Sequence, residues 1–179
     1  MNIKIETQRL ILKNYTENEL EDVNKLKSDH RVWEYSTKVA TTKMEDSKIY
    51  LQSVLKNYTK SKCDFQALFL KDTGEYIGEA GILSFNKQNN RSVVGYNLLS
   101  KYWTNGYATE ITKALVKYSF EVWKVERIEA LVGDGNGASR KVLEKSGFIQ
   151  EGLLRNFAYI NKKYINVYYY GIIKDDYLE

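Results

Sequence analysis

The chain has 179 residues, of which 43% are hydrophobic and 28% charged, with a formal net charge of +4. That length supports a single domain, residues 1–179, with a sizeable core, and the composition is that of an ordinary globular protein. The charge is mild and scattered, which argues against a nucleic-acid binder and suffices to attract a small phosphorylated ligand.

No apolar run is long enough to span a membrane, and Met1–Ile11 carries no basic-then-apolar leader, so the expectation is a cytoplasmic protein without a membrane partner. Cys63 is the single cysteine, which rules out an internal disulfide; it reads as an incidental or buried thiol. The chain contains no proline, so turns must be read from Gly, Asn and Asp.

Arg9–Lys13 predicts a first strand. Thr16 and Glu19 form a capping-box pair ahead of Leu20, Val23, Leu26 and Lys27 at helical spacing. His30, the only histidine, follows that helix with no partner near it in sequence and reads as incidental. Thr42 and Glu45 predict a second capping box, before the apolar stripe Leu51, Val54, Leu55 and Tyr58. From Asp64 the period changes: Phe65–Leu70, Tyr76–Phe85 and Ser92–Leu99 read as strands, joined by turns at Asp72-Thr73-Gly74 and Lys87–Arg91. Ile111, Ala114, Leu115 and Tyr118 then mark a helix, and Arg127–Val132 a strand. A Gly/Asn loop, Gly133–Gly137, precedes a short helix, Ala138–Ser146, that stops at Gly147. The tail, Leu153–Ile173, predicts a long hairpin turning at Asn161-Lys162-Lys163. Antiparallel strands followed by a β-α-β-α unit imply a mixed α/β or α+β sheet.

Two loop-to-helix junctions carry the functional signal. Tyr102–Glu110 runs from a strand into a helix with Gly106 at the turn; its backbone N–H groups, at the positive end of the helix dipole, suit a pyrophosphate. Asn136 is an N-cap type residue, and Ser139 lies in the first turn behind it. If the two helices flank adjacent parallel strands, both N-termini open at the strands' carboxyl ends, where α/β proteins bind ligands.

The segments Thr7–Leu12, Gly95-Tyr96, Tyr102–Glu110, Arg127–Ala130, Asn136–Ser139, Val142–Phe148 and Glu151–Arg155, in this order, resemble the GNAT acetyltransferase superfamily. Within it they are similar to the ribosomal-protein N-terminal acetyltransferase branch. The resemblance implies a GNAT-type sheet, mixed and mostly antiparallel, splayed between two central parallel strands and flanked by about four helices. It implies acetyl-CoA as the acyl donor, no metal, and an amine acceptor, either a protein N-terminus or a small molecule; a homodimer is left open. The family's pyrophosphate pattern, Gln/Arg-x-x-Gly-x-Gly/Ala, falls on Trp103, Gly106 and Ala108, so the backbone of Thr104, Asn105, Gly106, Tyr107, Ala108 and Thr109 would hold the donor, with an aromatic in place of Gln/Arg. Leu98 and Leu99 would pair with the pantetheine amides, one N–H polarising the thioester carbonyl. Asn136 would bind the pantetheine arm, and Ser139 would protonate the departing thiolate.

The general base is the gap. By the same resemblance, many relatives carry an acid at the position of Val93 and often Asp at that of Asn166. Glu79 on the neighbouring strand is the substitute expected to act through a water, Tyr96 is expected to shape the acceptor pocket, and Glu110 to complement the helix dipole. The acceptor cleft is expected between the two early helices and the tail hairpin, with Trp33 and tyrosines on its walls. Val93 and Asn166 keep a second reading open, a catalytically silent acyl-CoA-binding module.

Overall fold

The computed structural model describes residues 3–36, 38–160 and 162–178. Met1 and Asn2, at the start of the stretch read for a leader, and Asn161, at the turn predicted for the tail, lie outside the described residues. In chain order the elements are β1 (Lys4–Glu6), β2 (Leu10–Lys13), α1 (Leu20–Ser28), α2 (Met44–Thr59), β3 (Gln66–Leu70), β4 (Tyr76–Asn86), β5 (Arg91–Leu98), α3 (Tyr107–Glu121), β6 (Arg127–Gly133), α4 (Gly137–Lys145), β7 (Ile149–Ile160), β8 (Lys163–Ile173) and α5 (Lys174–Leu178).

The strands form one eight-stranded sheet in the order β1-β2-β3-β4-β5-β6-β8-β7. Neighbours pair antiparallel except β5 and β6, which run parallel and are connected through α3. Their pairing is short: Arg91, Ser92 and Val93 face Arg127, Ile128 and Glu129, and there it stops. Across β5, a bulge in β4 between Ile82 and Ser84 sits opposite Val94 and Val93. Bulges bend and twist a strand. Beyond it β5 continues on β4 as far as Leu98, while β6 continues on β8 as far as Gly133, and the two halves of the sheet part.

The pleat sends alternate side chains to opposite faces, and each face has its own core. On one, Ile77, Ala80, Ile82, Val94, Leu98, Ile128 and Ala130 pack under Ile111, Leu115, Val116 and Phe120 of α3 and Leu143 of α4. On the other, Ala67, Phe69, Tyr76 and Leu99 meet Val23 and Leu26 of α1 and Leu51 and Val54 of α2. Each such side chain, fully buried, stabilises the fold by about 1.5–3 kcal/mol.

The elements missing from the prediction are β1 and α5, both very short, and β7 begins at Ile149, ahead of the predicted Leu153. The box at Thr16 forms, opening a 3-10 turn that runs into α1. The one predicted at Thr42 does not: the N-cap of α2 is Lys43 and makes no side-chain bond. Thr41, two residues ahead of that N-cap, bonds across the helix entry instead, its Oγ1 accepting from Lys43 N (3.2 Å) and donating to Asp46 Oδ2 (2.6 Å). No helix among the described residues is long and apolar enough to cross a membrane.

Candidate active site

A cleft of about 190 Å³ fills the gap between the parted strands. Val94–Asn97 of β5 and Ala130–Gly133 of β6 form its sides, Asn136, Ser139 and Leu143 close it from the α4 side, and Val32, Tyr35 and Ser36 approach from behind α1. It therefore passes through the sheet: Tyr96 packs with the α3/α4 core, while Asn97 faces Glu79 on the α1/α2 side.

Thr112 and Leu115 of α3 also line the cleft, and the start of that helix lies one to two turns before them. Gly106 is its N-cap in the left-handed region at φ +81°, a conformation that favours glycine, and no side chain caps the helix. The first-turn N–H groups are thus presented outward. The segment before β2 holds this loop in place. Arg9 NH1 donates to Asn105 O (3.0 Å), Arg9 Nε donates to Glu110 Oε2 (2.7 Å), and the guanidinium lies 4.6 Å from the Tyr107 ring centroid. Thr7 Oγ1 (2.6 Å) and Arg9 N (2.9 Å) both donate to Glu110 Oε1. Burial pushes the Glu110 carboxyl up, but these bonds outweigh it and hold it below the usual range. Glu110 is the loop's anchor, beyond the dipole role expected of it. Trp103 also has a structural use: its Nε1 donates to Leu98 O (2.8 Å) and ties off the end of β5.

Backbone parity on β5 corrects one expectation. Leu99 N donates to Ile77 O (3.0 Å), so its amide is spent on β4, and its side chain lies in the α1/α2 core. Since successive groups point to opposite edges of a strand, Tyr96 and Leu98 turn their backbone toward the cleft. Leu99 is thereby excluded, while Leu98, whose carbonyl already accepts from Trp103, has its N–H on the edge away from β4.

Asn136 caps α4, its Oδ1 accepting from Ser139 N (3.1 Å). Ser139 Oγ in turn accepts from Tyr96 OH (3.1 Å). This leaves the serine's own hydrogen free to be donated elsewhere. Burial pushes the Tyr96 phenol up to about 12, only partly offset by Ser139, so it stays a donor at neutral pH. Asn136 and Ser139 of the second junction line the cleft, and α3, which the first junction opens, adds Thr112 and Leu115; Tyr96 bridges its walls on the α3/α4 side.

Glu79 lies elsewhere. It is fully buried and is not among the residues lining the cleft. Oε1 accepts from Asn97 Nδ2 (2.8 Å), and Oε2 accepts from Tyr15 OH (3.1 Å) and Tyr50 OH (2.7 Å). A base must come within hydrogen-bond reach of its proton, directly or through one water. Glu79 has no direct contact with the cleft; the lining residue that it bonds is Asn97. Val93 sits at the last β5–β6 pair, opposite Glu129. That carboxylate is taken by Arg91 (2.5 Å) and Arg127 (2.9 Å), which outweigh its burial and keep it below the usual range. It is a poor base. Asn166 Oδ1 accepts from Asn156 N (3.0 Å) beside a bulge in β7, a structural duty. His30 is exposed. Burial pushes the Cys63 thiol up, away from a reactive thiolate. Trp33, expected on the cleft wall, is core: it is buried, and its Nε1 donates to Leu26 O (3.0 Å). No described residue of the tail hairpin lines the cleft.

Two half-sheets parting at a parallel pair, with an uncapped glycine-led helix at the opening, are the architecture of acyl-CoA-dependent transferases. The chain belongs to the GNAT acetyltransferases: the model of the acetyltransferase (GNAT) domain matches residues 9–149. It is an acetyl-CoA-dependent N-acetyltransferase. It is 30% identical over 170 residues to YoaA of Bacillus subtilis (strain 168), an N-acetyltransferase, covering 95% of this chain and 96% of that one. An acetyltransferase of the GNAT family from Bacillus anthracis superposes with a TM-score of 0.86 at 25% identity, over 97% of this chain and 99% of the other. RimL, a ribosomal L7/L12 alpha-N-protein acetyltransferase solved with coenzyme A, shares the fold with a TM-score of 0.86 at 19% identity, over 97% and 99%.

Proposed function

We propose that this chain acetylates a primary amine by direct attack on acetyl-CoA, and that the parted strands hold the donor. The observation that carries the reading is the cleft itself, walled by Tyr96 on β5 and by Asn136 and Ser139 on α4, and linked across by the Tyr96–Ser139 bond. The residues fit the donor: the uncapped α3 start, with Gly106 left-handed, suits a pyrophosphate, and strand groups with no sheet partner suit an amide-bearing arm. Bound there, acetyl-CoA supplies the acyl group as a thioester.

In this reading the amides of Thr104, Asn105, Gly106, Tyr107, Ala108 and Thr109 hold the pyrophosphate. Tyr96 and Leu98 offer backbone groups to the pantetheine, an N–H of that edge stabilises charge on the carbonyl oxygen, and Asn136 offers its amide NH₂. Ser139 gives its hydroxyl hydrogen to the sulfur and is resupplied along the bond from Tyr96. Neither acidic candidate takes the acceptor's proton, since Glu79 is sealed and Glu129 is neutralised; the proton that the nitrogen sheds as the amide forms passes to solvent water, which in turn restores the one that Tyr96 passes through Ser139 to sulfur. The amine therefore arrives neutral. That is easier for an α-amino group, of pKa about 8, than for a lysine near 10.4, which favours a protein N-terminus or a small molecule with a weakly basic amine.

Release of free thiol from acetyl-CoA, measured with a peptide bearing N-terminal serine or alanine, with spermidine and with glucosamine, tests this. Turnover with at least one is expected, faster for the less basic amines. Tight coenzyme A binding without turnover on any of them would overturn the reading in favour of a silent acyl-CoA-binding module.

A further inference from the structure

The α1/α2 side of the cleft holds a polar cluster that acetyl-donor binding does not use. Glu79 is the point on which it converges. Tyr15 and Tyr50 both donate to Oε2, and Tyr76 lies 2.7 Å from Tyr15 OH. Because the Tyr15 hydrogen is committed to Glu79, the hydrogen between the two phenols must come from Tyr76. Every hydrogen in the cluster points toward the carboxylate, and Asn97 Nδ2 supplies the remaining one to Oε1 at 2.8 Å.

This arrangement fixes the direction of one amide. Asn97 has two limbs, an NH₂ that only donates and an oxygen that only accepts. A carboxylate that only accepts cannot tolerate the oxygen limb beside it, so the flip of Asn97 is dictated by chemistry. Asn97 is partly exposed and lines the cleft. With Nδ2 turned to Glu79, Oδ1 is the limb left for the cleft.

We propose that Asn97 receives the acceptor: its Oδ1, oriented by Glu79, takes one N–H hydrogen of the incoming neutral amine and turns the nitrogen lone pair toward the donor side of the cleft. This rests on the acetyltransfer reading above and adds the residue that selects the nucleophile. A nucleophile carrying hydrogen is welcomed at Oδ1, whereas a thiolate or carboxylate, with lone pairs alone, meets an acceptor and is turned away. Glu79 acts through Asn97 and is a positioning residue; Tyr15, Tyr50 and Tyr76 hold it in turn.

The test is steady-state kinetics on the full chain with the same three amines, alongside calorimetric affinity for coenzyme A. Asn97→Ala is expected to raise KM for the amine about tenfold, the size of one hydrogen bond, with coenzyme A affinity unchanged. Glu79→Gln frees Asn97 to flip and is expected to raise the same KM. The exchanged pair Glu79→Gln with Asn97→Asp puts the donor on residue 79 and an acceptor oxygen back in the cleft, and is expected to bring KM back toward wild type. An Asn97→Ala protein with unchanged amine KM overturns the proposal, as does one whose coenzyme A affinity falls in step with KM, which would mark Asn97 as merely structural. Asn97 is partly exposed, so its alanine variant decides the matter even if the buried Glu79→Gln does not fold. Wild-type protein inert toward all three amines would instead overturn the acetyltransfer reading, and this one with it.

Discussion

Tyr96 donates to Ser139 across 3.1 Å, so a hydroxyl on α4 is held by a phenol on β5 and keeps its own hydrogen to give. The cap of α4 uses the backbone N–H of Ser139 and leaves its side chain out. Ser139→Ala should therefore leave the helix intact while lowering turnover by about a hundredfold, the usual weight of a positioned acid. Coenzyme A affinity should stay near wild type. Unchanged turnover would reduce Ser139 to a helix-start residue.

Gly106 offers a cleaner test of the donor loop. A Cβ there would lie 3.4 Å from Arg9 NH2, ordinary contact, so the penalty of Gly106→Ala is the left-handed backbone itself, about 1–2 kcal/mol. Its thermal midpoint should fall by a few degrees. Gly106→Glu adds bulk and negative charge at the proposed pyrophosphate position and should abolish coenzyme A binding in calorimetry; retained affinity would remove the loop assignment.

The anchor of that loop predicts an acid response. The Glu110 carboxyl is held below its usual range once the bonds from Thr7 and Arg9 outweigh burial, so its stabilisation is present above the unfolded pKa and lost as pH falls through the lower folded value. Glu110→Gln should cost roughly 1–3 kcal/mol at pH 7, the worth of hydrogen bonds to a charged group. In urea titrations the gap from wild type should close as pH drops below about 4.5.

Lys27 predicts the opposite limb. Its ammonium lies 3.7 Å from the Tyr50 ring centroid and 4.3 Å from that of Trp33, and burial pushes its pKa down to about 8. From there up to the ordinary lysine value the unfolded chain binds more protons than the fold, so stability rises with pH by at most about 1.4 kcal/mol per unit. Wild type should gain on Lys27→Met between pH 7 and 9.5 in denaturant midpoints. A constant difference would mean that Lys27 does not titrate there.

What the sequence disclosed follows from how local each feature is. Gly106, Asn136 and Gly147 declare themselves because each does its work within a turn of its own position, and the Thr16 box forms for the same reason. The Thr42 box does not form because the helix starts one residue later than the spacing implies, with Lys43 at the N-cap, and the hydroxyl that reaches Asp46 is that of Thr41. The resemblance points to Leu98 and Leu99 together, and the residues themselves do not separate the two. The end of β5 is buried on both faces, so apolar alternation does not reveal which amides point where. The Glu79 cluster was invisible as a whole: Tyr15, Tyr50, Tyr76 and Asn97 come from four different elements or their approaches, and only the folded sheet gathers them.

The brevity of the β5–β6 pairing, confined to Arg91–Val93 against Arg127–Glu129, bears on how the chain unfolds. The strands on either side of that seam are each stitched by long antiparallel ladders, and α3 spans the joint. Amide hydrogen exchange should therefore resolve two cooperative units, β1–β5 and β6–β8, that open at different free energies. On the proposed reading a donor lodged in the wedge would contact both, and its binding should fuse them into one. In that sense the ligand would complete the sheet, acting as the missing rungs between strands that the backbone leaves apart.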